Sequence, residues 1–187
     1  HAERGNAWFE KSEYDKAIDD YDVSIRLDPK VASVFASRAA AWKFKQEYEK
    51  ALRDYDEAIK LDPQDETSYL FRGVVHGLRN EHDKAIADFT EAIRLDPDEY
   101  HLLYNRGYAR LMKGDYDQAI EDFNEAIRRD PKYAEAYFRR GNAYAAKEDY
   151  DKAITDYSEA IKQNPELDYS YSGRGDARLR KGNYDQA

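Results

Sequence analysis

Apolar positions along the chain recur at helical spacing, and they come in two alternating patterns. In YAEAYFRRGNAYAAK, residues 133–147, Tyr137, Gly141 and Tyr144 stand at i, i+4 and i+7, one stripe of a 3.6-residue helix. In DYDKAITDYSEAIKQ, residues 149–163, Ala153, Ile154, Tyr157, Ala160 and Ile161 form a second stripe. Short polar breaks separate the two, as in KGDY at 113–116, where Gly114 suits a helix C-terminus. Asp115 and Asp117 then suit the positive end of the following helix. An Asp-Pro pair closes the second helix, because proline cannot continue it, and the Asp is expected to open the next one. Small residues at the crossing, such as Gly141 against Ala153, are expected to bring the two backbones close.

The pattern has a period of 34 residues. Pro29, Pro63, Pro97, Pro131 and Pro165 keep that step without a slip. Ala17, Ala51, Ala85, Ala119, Ala153 and Ala187 keep it too, as do Tyr21, Tyr55, Phe89, Phe123 and Tyr157. A small residue recurs at Gly5, Ala39, Gly73, Gly107, Gly141 and Gly175. Each unit reads as an antiparallel helix pair that must stack on its neighbours to bury its apolar faces. The units fall at about 1–31, 32–65, 66–99, 100–133, 134–167 and 168–187 of a single array. The first lacks its opening residues and the sixth most of its second helix, so the chain reads as a piece of a longer array. The segment after Gly182 has too few turns to persist as a helix alone and is expected to be poorly ordered.

These columns resemble the tetratricopeptide repeat (TPR). In the fifth unit Tyr137, Gly141, Tyr144, Ala153, Tyr157, Ala160 and Pro165 match that family's ordered set. The resemblance covers the whole chain. It implies an all-α fold, a right-handed α-solenoid of antiparallel helix pairs, and a non-enzymatic protein-interaction scaffold. Departures are local: His76, Arg110 and Arg178 replace the second aromatic, and Ser24 replaces a small alanine. They are expected to weaken single helix contacts only.

Charge narrows the function. Charged residues make up 37% of the chain and the formal net charge is −9, which disfavours a nucleic-acid partner. With no cysteine, thiol chemistry is excluded. No run of 18 apolar residues spans a membrane, and the cytoplasm is the expected compartment. No phosphate-binding loop, GxSxG elbow or HExxH pair occurs, and the RGD at 174–176 falls inside a predicted helix. His76 and His82 each replace an aromatic of one unit and read as polar substitutes, not as a shared metal site. No catalytic residue, cofactor or metal is expected.

Two charged columns stand out. Arg4, Arg38, Arg72, Arg106, Arg140 and Arg174 each precede the small residue, and Asp20, Asp54, Asp88, Asp122 and Asp156 each precede the second-helix aromatic. An arginine at the edge of the core stripe can pack its stem and carry its charge to the second helix. The expectation is a structural ladder of Arg38, Arg72, Arg106 and Arg140 with Asp54, Asp88, Asp122 and Asp156. The competing reading is an arginine row for an acidic ligand.

The side of the first helices opposite the core is where a solenoid binds. In the third to fifth units it carries Leu70, Phe71, Val74, Tyr104, Asn105, Tyr108, Leu111, Phe138, Arg139 and Asn142. Such a face should be polar, and exposed apolar clusters mark interaction sites. The expectation is a concave groove for a partner peptide or segment, against the alternative that these residues pack between repeats. A chaperone-tail clamp is disfavoured, because the positions that would carry it hold Leu70, Val74, Asn105, Glu135 and Arg139, of which only Asn105 and Arg139 fit. Two further readings are a recruiting or regulatory arm of a larger enzyme, and a module that stacks head to tail on itself.

Overall fold

The computed structural model describes residues 1–182; the expectation for the segment after Gly182, and Ala187 of the alanine column, lie outside them. Two compact units divide the chain, His1–Asp96 and Pro97–Ala187. The first holds α1 (Ala2–Glu10), α2 (Tyr14–Leu27), α3 (Ala32–Phe44), α4 (Tyr48–Leu61), α5 (Glu66–Leu78) and α6 (His82–Leu95). The second holds α7 (Tyr100–Lys113), α8 (Tyr116–Arg129), α9 (Ala134–Ala146), α10 (Tyr150–Gln163) and α11 (Asp168–Lys181). The described residues are all-α, without a strand, and odd-numbered helices are the first of each pair. None is long and apolar enough to cross a membrane.

The turn inside each pair repeats one backbone device. Ser12, Gln46, Asn80, Gly114, Glu148 and Gly182 all take positive φ, between 58° and 94°. The next N–H then reaches back to the carbonyl five residues earlier, Glu13 to Trp8, Glu47 to Trp42, Glu81 to His76, Asp115 to Arg110 and Asp149 to Tyr144, at 2.9–3.0 Å. That bond closes the turn onto a carbonyl of the helix's last turn. Glycine adopts the conformation without steric cost, as at Gly114; the four other residue types adopt it under the demand of the turn.

The Asp-Pro junction works differently from the expectation. Asp28, Asp62 and Asp130, and Asn164 in the same column, end the even-numbered helices in extended conformation. Their side chains accept from the N–H two residues on, in Lys30, Gln64, Lys132 and Glu166, at 3.0–3.1 Å. They fold the turn that leaves a helix, and the N-caps of the next helices are instead Val31, Asp65, Tyr133 and Leu167.

Packing within a pair also differs in detail. The small residue meets the aromatic ring of the second helix rather than its alanine. A Cβ on Gly107 would stand 2.9 Å from a ring carbon of Phe123, and one on Gly141 2.8 Å from Tyr157. The alanines Ala17, Ala51, Ala85, Ala119 and Ala153 are fully buried, and the aromatics Tyr21, Tyr55, Phe89, Phe123 and Tyr157 nearly so. These rows form the core of each unit.

Candidate functional site

The arginine column holds each helix pair together at its centre. Within the first unit, Arg38 donates twice to Asp54 (2.7 Å each) and Arg72 twice to Asp88 (3.0 and 2.6 Å). In the second, Arg106 donates to Asp122 (3.0 and 2.7 Å) and Arg140 to Asp156 (2.8 and 2.7 Å). Arg4 makes the same contact with Asp20. The forked guanidinium matches a carboxylate in two parallel bonds. The Asp20 carboxyl is held below its usual range, chiefly by the Arg4 hydrogen bond. At Asp156 burial prevails and raises the carboxyl against the pull of Arg140.

The third guanidinium nitrogen crosses to the preceding repeat. Arg38 Nη1 donates to Asp22 (2.6 Å), Arg72 to Asp56 (2.7 Å), Arg140 to Asn124 (2.6 Å) and Arg174 to Ser158 (3.2 Å). One side chain thus joins its own helix pair to the second helix of the repeat before. Two of the residues that replace the second aromatic lie against this column. Arg110 adds a bond to Asp122 at 2.8 Å. His76 lies 2.7 Å from Glu81 and 3.9 Å from Asp88. A second inter-repeat set was not foreseen: Lys45 pairs with Asp15, Arg79 with Glu49, Lys147 with Asp117 and Lys181 with Asp151. Its signal was present, as a basic residue 30 positions after an acidic one.

The residues expected to line a binding face divide into committed and open ones. Phe138 belongs to the core: it is 9% exposed, with its ring 5.7 Å from Tyr157 and 4.3 Å from Tyr169 of the next repeat. Phe71 packs on the cluster around Tyr55, with the Lys43 ammonium 4.7 Å from its ring centre. Burial lowers the pKa of Lys43. The Tyr104 ring lies tilted against that of Tyr133 at 5.0 Å, and burial pushes the Tyr133 hydroxyl well up. The Asn105 amide donates to the His101 carbonyl at 2.8 Å, and Asn142 accepts from the Tyr157 hydroxyl at 2.8 Å. Leu70 and Val74 are half-buried. Tyr108, Leu111 and Arg139 keep part of their surface, with the Arg139 guanidinium 4.6 Å above the Tyr108 ring. Met112 beside Leu111 is 51% exposed.

Each unit also carries a notch between successive first helices. A cavity of about 420 Å³ in the first unit is lined by Asn6, Phe9, Glu10, Tyr21, Ser37 and Ala40. One of about 310 Å³ occupies the equivalent place in the second, over Asn142, Tyr157, Gly173 and Asp176. The floor repeats: Tyr21 donates to Asn6 at 2.7 Å as Tyr157 does to Asn142. Burial pushes the Tyr157 hydroxyl up to about 12. Both notches open where the following first helix carries a small residue, Ser37 or Gly173; the same column holds Phe71 and Arg139 elsewhere. Hydrophobicity of single columns could not show them, because the space depends on residue size on three helices at once. Among the described residues, no group of three or more His, Asp or Glu is placed to hold a metal.

Helix pairs at a fixed step, glycine against an aromatic ring and small residues at each crossing define a helical-repeat protein. The tetratricopeptide repeat family model matches residues 79–134, 104–168 and 138–187, and a second TPR repeat model matches 45–78. The chain belongs to the tetratricopeptide repeat family, and its fold is that family's all-α solenoid class. Among solved structures it is similar to YrrB, described as a TPR protein with an unusual peptide-binding site. There the TM-score is 0.81 at 21% identity, over 92% of this chain and 89% of that one. MamA gives 0.81 at 23% identity, over 86% and 94%. A tetratricopeptide repeat protein from Parabacteroides merdae gives 0.87 at 19% identity, over 99% and 73%. No curated protein sequence matches the chain.

Proposed function

We propose that the chain is a non-enzymatic scaffold that binds a peptide or extended segment of a partner protein on the faces of its first helices. The observation that carries this reading is the open surface of the second unit. There Tyr108, Leu111 and Met112 expose apolar area on one helix while Arg139 lies across Tyr108 from the next. A tyrosine face capped by a guanidinium offers apolar contact and hydrogen-bond donors together, the combination from which binding hot spots are built. Leu70 and Val74 give the first unit a smaller face of the same kind. The family and the peptide-binding site named for YrrB support the reading. Arg38, Arg72, Arg106 and Arg140 are assigned a structural role, because two donors of each are spent on an aspartate of the same pair, and in Arg38, Arg72 and Arg140 a third on the preceding repeat.

Selection of binders from a random-peptide display library tests it. Enriched peptides should bind the wild-type chain and lose at least tenfold in affinity to the Tyr108→Ala, Arg139→Ala variant. Equal binding to both would refute the site. Self-association is the second reading, favoured by Tyr171 and Leu179, which are 43% and 42% exposed on α11. Light scattering that finds a monomer over a hundredfold concentration range would remove it.

A further inference from the structure

The notch of the first unit has a chemistry of its own. Asn6 and Glu10 stand four residues apart on α1, so both face the same way, and Phe9 lies beside them. Tyr21 rises from α2 as the floor, and α3 closes the far side with Ser37 and Ala40. The volume of about 420 Å³ suits a long side chain rather than a whole ligand. The half-buried Phe9 ring offers a methylene stem an apolar wall and attracts a cation, above the buried Tyr21. Glu10 is the one charged residue of the lining. It makes no ion pair or side-chain hydrogen bond among the described residues. Its neighbours Glu13, Asp15 and Asp20 are all paired. The carbonyl oxygen of the Asn6 side chain is taken by the Tyr21 hydroxyl (2.7 Å), which leaves its NH₂ to donate to a main-chain carbonyl.

We infer that this notch is a subsite for a cationic side chain, a lysine or arginine of the bound segment. The stem lies along Phe9 above the Tyr21 floor, the charge meets Glu10, and Asn6 holds the adjacent peptide carbonyl. The inference rests on the reading of the first-helix faces as the binding side. The net charge of −9 favours approach of a basic segment. One repeat later the column of Ser37 holds Phe71, which packs on the cluster around Tyr55.

The test is an amide NMR titration of the ¹⁵N-labelled full chain with three acetylated, amidated tripeptides: Gly-Arg-Gly, Gly-norleucine-Gly and Gly-Glu-Gly. The arginine peptide should give saturable shifts at Asn6, Glu10 and Ser37, and the other two should not at the same concentrations. Glu10→Gln should weaken that binding at least fivefold. Ser37→Phe should abolish it, with helical circular dichroism confirming that the variant folds. Equal shifts from the norleucine peptide, or unchanged affinity in Glu10→Gln, would overturn the inference. The Tyr108→Ala, Arg139→Ala variant separates the two proposals, because it should leave this titration as it was. If library peptides bind through Tyr108 while the arginine peptide leaves the notch unshifted, this inference alone falls. If the arginine peptide fills the notch and no library peptide binds, the notch stands and the Tyr108 face falls.

Discussion

Single residues carry the constraints that a period cannot express. At the turn inside each pair, Glu148 adopts φ +63°, where Gly114 and Gly182 stand in the equivalent place. A side chain in the left-handed region costs about 1–2 kcal/mol, partly returned by the greater unfolded-state freedom of glycine. Glu148→Gly should therefore stabilise the chain by up to about 1 kcal/mol, read as a higher urea midpoint with unchanged slope. A lower midpoint would show that Glu148 makes contacts worth more than the strain. Tyr55 is a second case. Its hydroxyl is buried and has no hydrogen-bond partner among the described residues, whereas Tyr21 and Tyr157 bond to Asn6 and Asn142. Ala40 stands where those asparagines would be. Leaving such a group unsatisfied costs about 1–3 kcal/mol, so Tyr55→Phe should be neutral or stabilising while Tyr157→Phe destabilises. The reverse order in thermal melts would contradict this. Column reading shows that a tyrosine recurs, but not whether its hydroxyl finds a partner.

Between elements, the arginine clamp is the device with the clearest energetics. The Arg38 side chain is 19% exposed and that of Asp54 9%, while Asp22 is 38% exposed. Breaking the buried bond strands a charge, at about 3 kcal/mol, whereas the exposed one is worth about 0–1 kcal/mol. Denaturant titration of Arg38→Met, Asp54→Asn and their double variant should show strong coupling. Additive effects would return the arginines to the role of a free ligand row. Surface pairs add a small dependence on pH. Hydrogen bonds from Arg128 and then Arg129 hold the Glu125 carboxyl at about 2, below its ordinary 4.5. A carboxyl lowered on folding contributes stability above its unfolded pKa and loses it as pH falls towards the folded one. Glu125→Gln should thus flatten the decline in stability between about pH 4.5 and 2, a modest change for an exposed group. An unchanged decline would deny the pair any share. This scale was the most legible in the sequence. The Arg and Asp columns recur together, and a guanidinium at the edge of the core stripe has few other places to go. Its reach into the preceding repeat was not legible, because nothing in one unit says which neighbour's helix lies nearer. For Phe138 the sequence left groove and packing open, and the structure places its ring between Tyr157 of α10 and Tyr169 of α11, contacts that a wheel drawn on α9 alone cannot show.

At the scale of the whole molecule, the chain divides its residues between holding repeats together and presenting a surface. Stability in such arrays is a sum of repeat and interface contributions. A clamp lost at Arg38 should therefore weaken the fold without removing the proposed binding face. The fold class was legible from end to end, since five prolines in one register admit few architectures. The proposed binding face was legible as a set of columns only, because exposure depends on what neighbouring repeats cover. Titration of a library-selected peptide against Tyr108→Ala and Arg38→Met, at a temperature where both remain fully helical, tests this division of labour most directly. The account predicts an affinity loss of about tenfold or more, about 1.4 kcal/mol, for Tyr108→Ala and less than about twofold for Arg38→Met. Loss of binding in Arg38→Met with binding retained in Tyr108→Ala would contradict it.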